Sequence, residues 1–422
     1  MDDDVTVPGT DRDSERATLA RMLQREGETQ GYAIGSYFYQ SEHVYSLELS
    51  QLLFRSWLYA AHVSDIPQSG DFKLFEIGED SLIIRRDQND EIHALMNVCR
   101  HRGSRVCEEQ TGNCKTFVCP YHGWVYNGDG SLRAAREMHV LPEFEPDKLG
   151  LKRARVEIFH GLIFINCNPN AQAFAPHLAP IENPLGAYDL AHAKIAHQQT
   201  YRVEANWKLC LENYLECYHC ATAHRAYARM HTLKDLSENV QQLVDDMLAR
   251  AEQVTGVLGI TDHWRKLYGQ AEDFGACVSH QRYGLFEGVL TGSEDGQPVA
   301  PLMGNMQGYD GGVGDFQMGP VSFMLNYPDH CVLYRFIPRG HHATDMTVAW
   351  FVNGDAVEGR DYDRDKLIWL WDRTTREDET IISRNSAGLN SHFFEPGPYH
   401  PEFEDGLKNF TDWYLDTLRN AL

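Results

Sequence analysis

Two short strings carry residues suited to binding metals. CRHRGS places Cys99 and His101 two positions apart, and CPYHGW places Cys119 and His122 three apart, with seventeen residues between the pairs. Two loops can therefore each offer one thiolate and one imidazole to a common centre. A tetrahedral zinc ion takes two Cys and two His at about 2.0 to 2.3 Å. A [2Fe–2S] cluster with Cys on one iron and His on the other takes the same four groups. Zinc fingers and ribbons usually space paired Cys ligands by about two to four residues and do not mix Cys-x-His with Cys-x-x-His, so the cluster is the better fit. Imidazole in place of thiolate removes negative charge from one iron and raises its potential. Gly103 and Gly123 follow the ligands closely and can let backbone N–H groups approach cluster sulfurs.

A second constellation lies downstream. Glu216-Cys217-Tyr218-His219 sets a carboxylate and an imidazole three residues apart, on one helix face. His224 lies five beyond His219, one too many for overlap at i+4, so a kink or helix end is needed to aim both rings at one point. Two His and one carboxylate on one side of an octahedron form the facial triad of non-haem Fe(II) oxygenases, which leaves positions open for O2 and substrate. Two His in a helix near a Glu are by themselves more often a satisfied polar core. A cluster in the same chain reverses that weighting, because stored electrons need an acceptor. Asn213, one turn before Glu216, can orient it or can equally be a packing amide. Cys217-x-x-Cys220 has no thioredoxin-like βαβ context, so ordinary buried thiols are expected. Cys107 and Cys114 flank the cluster loops and are expected to pack without a special role.

The elements that position these residues belong to a chain of 422 residues, enough for two or three domains at roughly 150 residues each. Its 42% apolar and 23% charged content is ordinary for a globular protein. Lys plus Arg number 38 against 61 Asp plus Glu, a net charge of −23. That balance argues against nucleic acid and anionic membrane surfaces and suits docking to a basic partner protein. The N-terminus, MDDDVTVPGTDRDSER, has neither a basic nor an apolar signal region, and no apolar run is long enough to span a bilayer. Ten cysteines are too few for a disulfide scaffold, so a cytoplasmic protein with reduced thiols is expected.

Residues 1–16 read as a flexible acidic arm and 17–44 as a helical segment packing on the second domain. A short helix is expected at Ala17 to Arg25 and another at Leu47 to Trp57. Residues 45–168 alternate short apolar runs with Gly, Asp and Asn, the pattern of a small, mostly antiparallel β domain. Residues 169–422 read as α+β. Helices are expected at Trp207 to Arg229, Leu236 to Val254, Tyr362 to Ala387 and Leu407 to Leu422. Strands are expected at Val321 to Asn326, Cys331 to Pro338 and Met346 to Asn353. Gly304 to Gly319 is glycine-rich without a phosphate-binding pattern and reads as a surface or pocket-lining loop. Tyr214, Trp264, Phe316, Phe323 and Tyr327 could supply an aromatic cage for a methylated cation, although each alone is more often core.

CxH followed by CPYHGW resembles the Rieske signature of the Rieske non-haem iron oxygenases, the ring-hydroxylating oxygenase α-subunits. NWKLCLENYLECYHCATAH is similar to that family's mononuclear-iron segment. The resemblance covers about Tyr45 to the C-terminus. It implies a β Rieske domain with its cluster on Cys99, His101, Cys119 and His122, joined to a helix-grip-like α+β catalytic domain. It also implies Fe(2+) on His219, His224 and a carboxylate from a late acidic helix, here Asp378, with Glu377 and Glu379 on its solvated face. Glu216 matches the bridging carboxylate that links a cluster His of one subunit to an iron His of the next in a head-to-tail homotrimer. Most members carry Asp there, whereas Glu resembles the branch acting on quaternary ammonium compounds, including glycine betaine, carnitine and stachydrine oxygenases. The family draws electrons from NAD(P)H through a flavin and iron–sulfur reductase and uses O2 as co-substrate. Expected products are those of N-demethylation, with formaldehyde, or of C–N cleavage.

An aromatic-ring hydroxylating dioxygenase is disfavoured by Glu216 and by LECYHCATAHRAYARMHTLK, which resembles the glycine betaine branch. A Rieske electron carrier leaves the second domain without purpose, and a zinc-stabilised interaction module is disfavoured by the ligand spacing. A visible spectrum of the purified protein separates these: a red-brown solution is expected, and a colourless one would mean zinc or no metal.

Overall fold

Short apolar runs parted by turn residues pair as antiparallel ladders, which need no crossover connections. The computed structural model describes residues 10–29, 31–232, 237–254 and 276–422. Its first ten strands are β1 (Leu58–His62), β2 (Asp71–Ile77), β3 (Asp80–Arg86), β4 (Ile92–Met96), β5 (Thr111–Asn113), β6 (Thr116–Val118), β7 (Val125–Asn127), β8 (Leu132–Ala134), β9 (Arg153–Phe159) and β10 (Leu162–Asn166). Seven form a sheet of order β1-β10-β9-β4-β3-β2-β5, and β6-β7-β8 form a smaller one. The ladders are antiparallel throughout. Cys99 and His101 follow β4, while Cys119 and His122 lie in the β6–β7 connection. Phe72, Leu74, Ile83, Leu95, Phe117, Trp124 and Tyr126 pack around the two cysteines.

The second sheet is built from β11 (Lys194–Val203), β12 (Val278–Gly284), β13 (Gly312–Met318), β14 (Ser322–Asn326), β15 (Cys331–Gly340) and β16 (Ala343–Val352). Its order is β11-β16-β15-β14-β13-β12, antiparallel at each pairing. The Trp207–Leu215 and Arg364–Leu389 helices pack against it. Asp363 caps the long helix by accepting from the Lys366 N–H at 3.0 Å. Leu367, Leu370, Trp371, Thr374, Thr375 and Ile382 form its buried stripe, and Asp378 falls on the same 3.6-residue period between Thr374 and Ile382. Asn206 caps the Trp207–Leu215 helix. That helix is tied down by a fully buried ion pair: Lys208 Nζ donates to Glu48 Oε1 at 2.6 Å, and Trp207 Nε1 donates to Glu48 Oε2 at 2.7 Å. Removing either partner would strand a buried charge, a loss of about 3–5 kcal/mol.

Several expectations are corrected. The first helix begins at Thr10, so residues 10–16 are helical rather than part of a flexible arm. Its continuation buries Leu19 and Leu23, and Arg419 of the C-terminal helix donates to the Leu23 carbonyl. Residues 1–9 lie outside the described residues, as does Leu236 at the expected start of the Glu238–Val254 helix. The helix expected over Leu47 to Trp57 is instead a π turn and a 3-10 turn leading into β1, where Glu48 is drawn inward to Lys208. Half of the glycine-rich stretch is β13, not loop. Gly312 occurs there because a side chain would strike Met247 and Arg282, so it marks close packing rather than a turn.

His62 joins the two sheets. Its ring packs edge-on against Phe351 of β16 at 5.1 Å. Nδ1 accepts from the Ser64 N–H at 3.2 Å, and Nε2 donates to the Leu190 carbonyl at 3.0 Å, an arrangement that requires the neutral ring. Burial lowers its pKa to about 4 despite the Leu190 carbonyl. The unfolded chain therefore takes up a proton below about pH 6.5 that the folded one refuses, so stability is complete above that pH and falls as pH drops toward 4. Buried His231, also lowered to about 4, acts with the same sign. His62→Gln should flatten part of this dependence, by on the order of 2–3 kcal/mol, seen as converging urea midpoints at about pH 7.5 and about pH 5.

Candidate functional site

The two cluster strings fold into the same turn twice. The Cys99 N–H donates to Ser104 O at 2.8 Å and the Gly103 N–H to Cys99 O at 3.0 Å; the Cys119 N–H donates to Trp124 O and the Gly123 N–H to Cys119 O at the same two distances. Both glycines take the left-handed conformation, with φ of 82° and 69°. A Cβ on either would meet nothing within 4 Å, so the backbone angle rather than crowding selects glycine here. Cys99 and Cys119 are buried while His101 and His122 are exposed, their ring centroids 4.6 Å apart. His101 stacks on Trp124. Tyr126 Oη lies 3.2 Å from Cys99 Sγ. Burial opposes the Cys119 thiolate, but the Tyr121 and His122 N–H groups and the Cys99 thiol outweigh it and lower the pKa. Among the described residues, the groups of three ligand atoms drawn within 4.8 Å of one another are His219, His224, Asp378 and Asp87, Glu91, His93. In the two loops Cys99 pairs with Cys119 and His101 faces His122, the division of thiolates and imidazoles that a two-iron cluster uses.

The helix expected through Arg229 ends at Leu215. Glu216 is extended, with φ −132° and ψ 166°. Its Oε2 accepts from the Tyr218 and His219 N–H groups, a local bond that competes with helical continuation. This break supplies the turn that the His219–His224 spacing demands. Two short helices follow, Cys220–Ala223 and Arg225–Ala228. Cys217 and Cys220 are joined as a disulfide, contrary to the expectation of free thiols. Their Cα atoms lie 5.0 Å apart, inside the bonding window. Cys107 and Cys114 are free, as expected.

His219 Nε2, His224 Nε2 and Asp378 Oδ1 converge. The nitrogens are 3.1 Å apart, and the carboxylate oxygen lies 3.4 Å from His219 and 2.9 Å from His224. Three neighbouring positions of an octahedron with bonds of roughly 2.1 Å lie about 3.0 Å apart, so the set fits one face around a divalent ion. Asp378 Oδ1 is buried with no well-formed hydrogen bond, the mark of an atom aimed at a metal. Each imidazole is held from behind: His219 Nδ1 pairs with Glu216 Oε1 at 2.6 Å and His224 Nδ1 with Glu377 Oε2 at 3.1 Å. Burial disfavours charge on His219, but Asp378 and Glu216 overcome it and raise its pKa to about 9. The surroundings thus favour positive charge at this point. Glu377 was expected on a solvated face; instead it orients His224 and is itself paired with Arg373 at 3.0 Å. Asn213 points its amide at His219 Nε2, 3.3 Å away, beside the metal-facing atom.

A cavity of about 110 Å³ opens on the triad; on this measure one water needs about 10–15 Å³, so the space suits a small organic molecule. Of the expected cage residues, Tyr214 and Phe323 line it, joined by Tyr227, Tyr283 and Trp371. Phe316 packs in a separate core cluster, Tyr327 is buried against His231, and Trp264 lies outside the described residues. Trp371 and Thr374 were findable, lying seven and four residues before Asp378 on one helix face. Asp315, Gln281 and Tyr283 were hidden in strands that the sequence did not announce.

The profile described as "Ring hydroxylating alpha subunit (catalytic domain)" matches residues 190–420, and that of the "Rieske [2Fe-2S] domain" matches residues 56–145. The glycine betaine monooxygenase oxygenase subunit of Pseudomonas aeruginosa is 34% identical over 411 residues, 96% of this chain and 93% of that one. The carnitine monooxygenase oxygenase subunit of Escherichia coli K12 is 33% identical over 201 residues, 47% of this chain and 54% of that one. Among solved structures, a quaternary ammonium Rieske monooxygenase shares the fold with TM-score 0.70 at 20% identity, covering 92% and 95% of the two chains. Naphthalene 1,2-dioxygenase from Rhodococcus shares it with TM-score 0.67 at 20% identity, covering 95% and 97%.

Asp378→Ala should lose the mononuclear metal and keep the cluster absorbance, measured as iron per chain alongside the visible spectrum. Full retention of the third iron would move the carboxylate ligand elsewhere.

Proposed function

The chain belongs to the ring-hydroxylating α-subunit family of Rieske oxygenases, and from that premise we propose that it is the oxygenase component of a monooxygenase acting on a small quaternary ammonium or N-methylated compound. Its cofactors are a [2Fe–2S] cluster and a mononuclear iron, with O2 as co-substrate and electrons delivered by a reductase. The observation that carries the substrate reading is the cavity, which sets the His219–His224–Asp378 triad beside five aromatic rings in a space sized for a small molecule. Aromatic faces attract a methylated cation that can donate no hydrogen bond. The relatives' named substrates, glycine betaine and carnitine, support the same class, with a glycine betaine-like compound favoured.

Residues 45–168 form the cluster unit, where Cys99 and Cys119 hold one iron and His101 and His122 the other. Residues 169–422 form the iron unit, on which 17–44 packs. When bound at His219, His224 and Asp378, iron supplies the activation of O2. Tyr214, Phe323 and their neighbours hold the substrate's methyl groups toward that wall. Glu216 holds His219 from Nδ1, and its remaining exposure lets it meet His122 of a neighbouring copy in a homotrimer, giving electrons a hydrogen-bonded route between subunits. The exposed imidazoles of His101 and His122 present the cluster to that neighbour and to an NAD(P)H-dependent reductase. Hydroxylation of an N-methyl group consumes O2, two electrons and two protons and yields water and a carbinolammonium. The latter breaks its C–N bond to give formaldehyde, an amine and a proton. Among the described residues no helix is long and apolar enough to cross a membrane, in keeping with a cytoplasmic location.

Chemically reduced, iron-loaded protein mixed with O2 and a panel of glycine betaine, choline, carnitine, stachydrine and simple aromatics should release formaldehyde with an N-methylated member. A ring diol or phenol instead would make the protein an aromatic hydroxylase. Glu216→Ala should keep both metal centres and lose most reductase-driven turnover; unchanged turnover would sink the intersubunit route.

A further inference from the structure

Resting on the substrate class proposed above, we infer that Asp315 is the anionic anchor of the cavity and binds the substrate's methylated cationic head by charge alone. Asp315 lies in β13, opposite Gln281 of β12 and Leu325 of β14, and lines the cavity with both. Its carboxylate accepts from Gln281 Nε2 at 3.0 Å and from the hydroxyls of Tyr283 and Tyr214, each at 3.4 Å. All three donors are neutral. The carboxylate's hydrogen-bonding capacity is thereby largely used while its charge is not offset.

The other two acids that line the cavity differ. Glu216 is engaged with His219, and Asp378 with His219 and His224. No Lys or Arg lines the cavity among the described residues. Burial pushes the Asp315 carboxyl up to about 6 against the pull of its three donors, which leaves it ionised at neutral pH. A carboxylate kept this deep without a cation is costly unless something charged arrives. A quaternary ammonium is the complement of this group, since it brings a full positive charge and no N–H to place. The same contacts fix the cage: Tyr214 is held at its hydroxyl by Asp315 while its ring packs on Phe323 at 4.3 Å. One carboxylate therefore sets both the charge and the aromatic wall.

The test uses the full chain loaded with cluster and iron, and calorimetric titration with two probes of similar shape. Tetramethylammonium carries only the cationic head, and tert-butanol is nearly isosteric and uncharged. The wild type should prefer tetramethylammonium by about tenfold or more, and Asp315→Asn should cut that preference by about tenfold, to the share the aromatic rings supply, while leaving tert-butanol binding in place. Asp315→Ser is the second variant, with the same expectation, should Asn not preserve the cluster spectrum. Absence of a preference in the wild type, or its undiminished persistence in the variants, would overturn the assignment. If the wild type releases formaldehyde from an N-methylated compound while the variants keep the preference undiminished, only the anchor fails. If it binds neither probe and yields no formaldehyde, the underlying substrate reading fails with it.

Discussion

Three ligand atoms gathered within 3.4 Å of one another at a largely buried point are the constraint on which the second half of this molecule depends. Two imidazoles and a carboxylate are stable in such proximity only around a positive centre, and each must be held by something other than its neighbours. The chain holds them from two segments far apart in sequence. His219 and His224 sit on the irregular backbone that begins where Glu216 ends a helix, and Asp378 projects from the buried stripe of the Arg364–Leu389 helix. The carboxylates of Glu216 and Glu377 fix the far side of each ring. The buried Glu48–Lys208 pair and the Asn206 cap then anchor the helix that delivers Glu216. Such outer supports keep each ligand aimed, and losing one typically weakens metal binding by about 10–100-fold rather than abolishing the site.

The cluster unit solves a different problem with a repeated device. Two Cys-to-Gly turns, alike in hydrogen bonding and in the sign of the glycine φ, set two thiolates inward and two imidazoles outward. Burial opposes the Cys119 thiolate, and the backbone N–H groups that surround it offset that cost. Exposed imidazoles place one side of the centre at the surface, where electrons can enter and leave over short distances. The unit's β scaffold presents that edge.

Between the two lies a question of charge. The cavity is bordered by three acids, two of which are answered by histidines, while Asp315 is answered by neutral donors alone. Electrostatics of this kind select a ligand by its charge more strongly than by its shape, because the alternative state, a buried carboxylate without a counter-charge, is itself costly. The aromatic lining and the acid act on the same feature of a methylated ammonium.

The metal-binding strings were legible because ligand chemistry is local: Cys99-x-His101 and Cys119-x-x-His122 lie within single turns, and His219 and His224 within one short segment. The antiparallel character of residues 58–166 was legible for the same reason, since turn residues and alternating apolar runs are short-range signals. Asp378 was nominated from a resemblance, and its place on the buried stripe of its helix agrees with that choice. What the sequence could not reveal depends on neighbours distant along the chain. The strand hidden among Gly312 and Gly314 exists because β12 and β14 pair with it, and Gly312 yields space to Met247 and Arg282. Glu377 reads as a surface acid until His224, 153 residues earlier, is packed against it. The Cys217–Cys220 disulfide and the helix break at Glu216 follow from local bonds that competing propensities conceal. By itself, then, the sequence determined which metals this protein is built to hold and in which two units. Only the tertiary structure decided which acids face the ligand and which face the metal, because burial and charge pairing arise when distant segments meet.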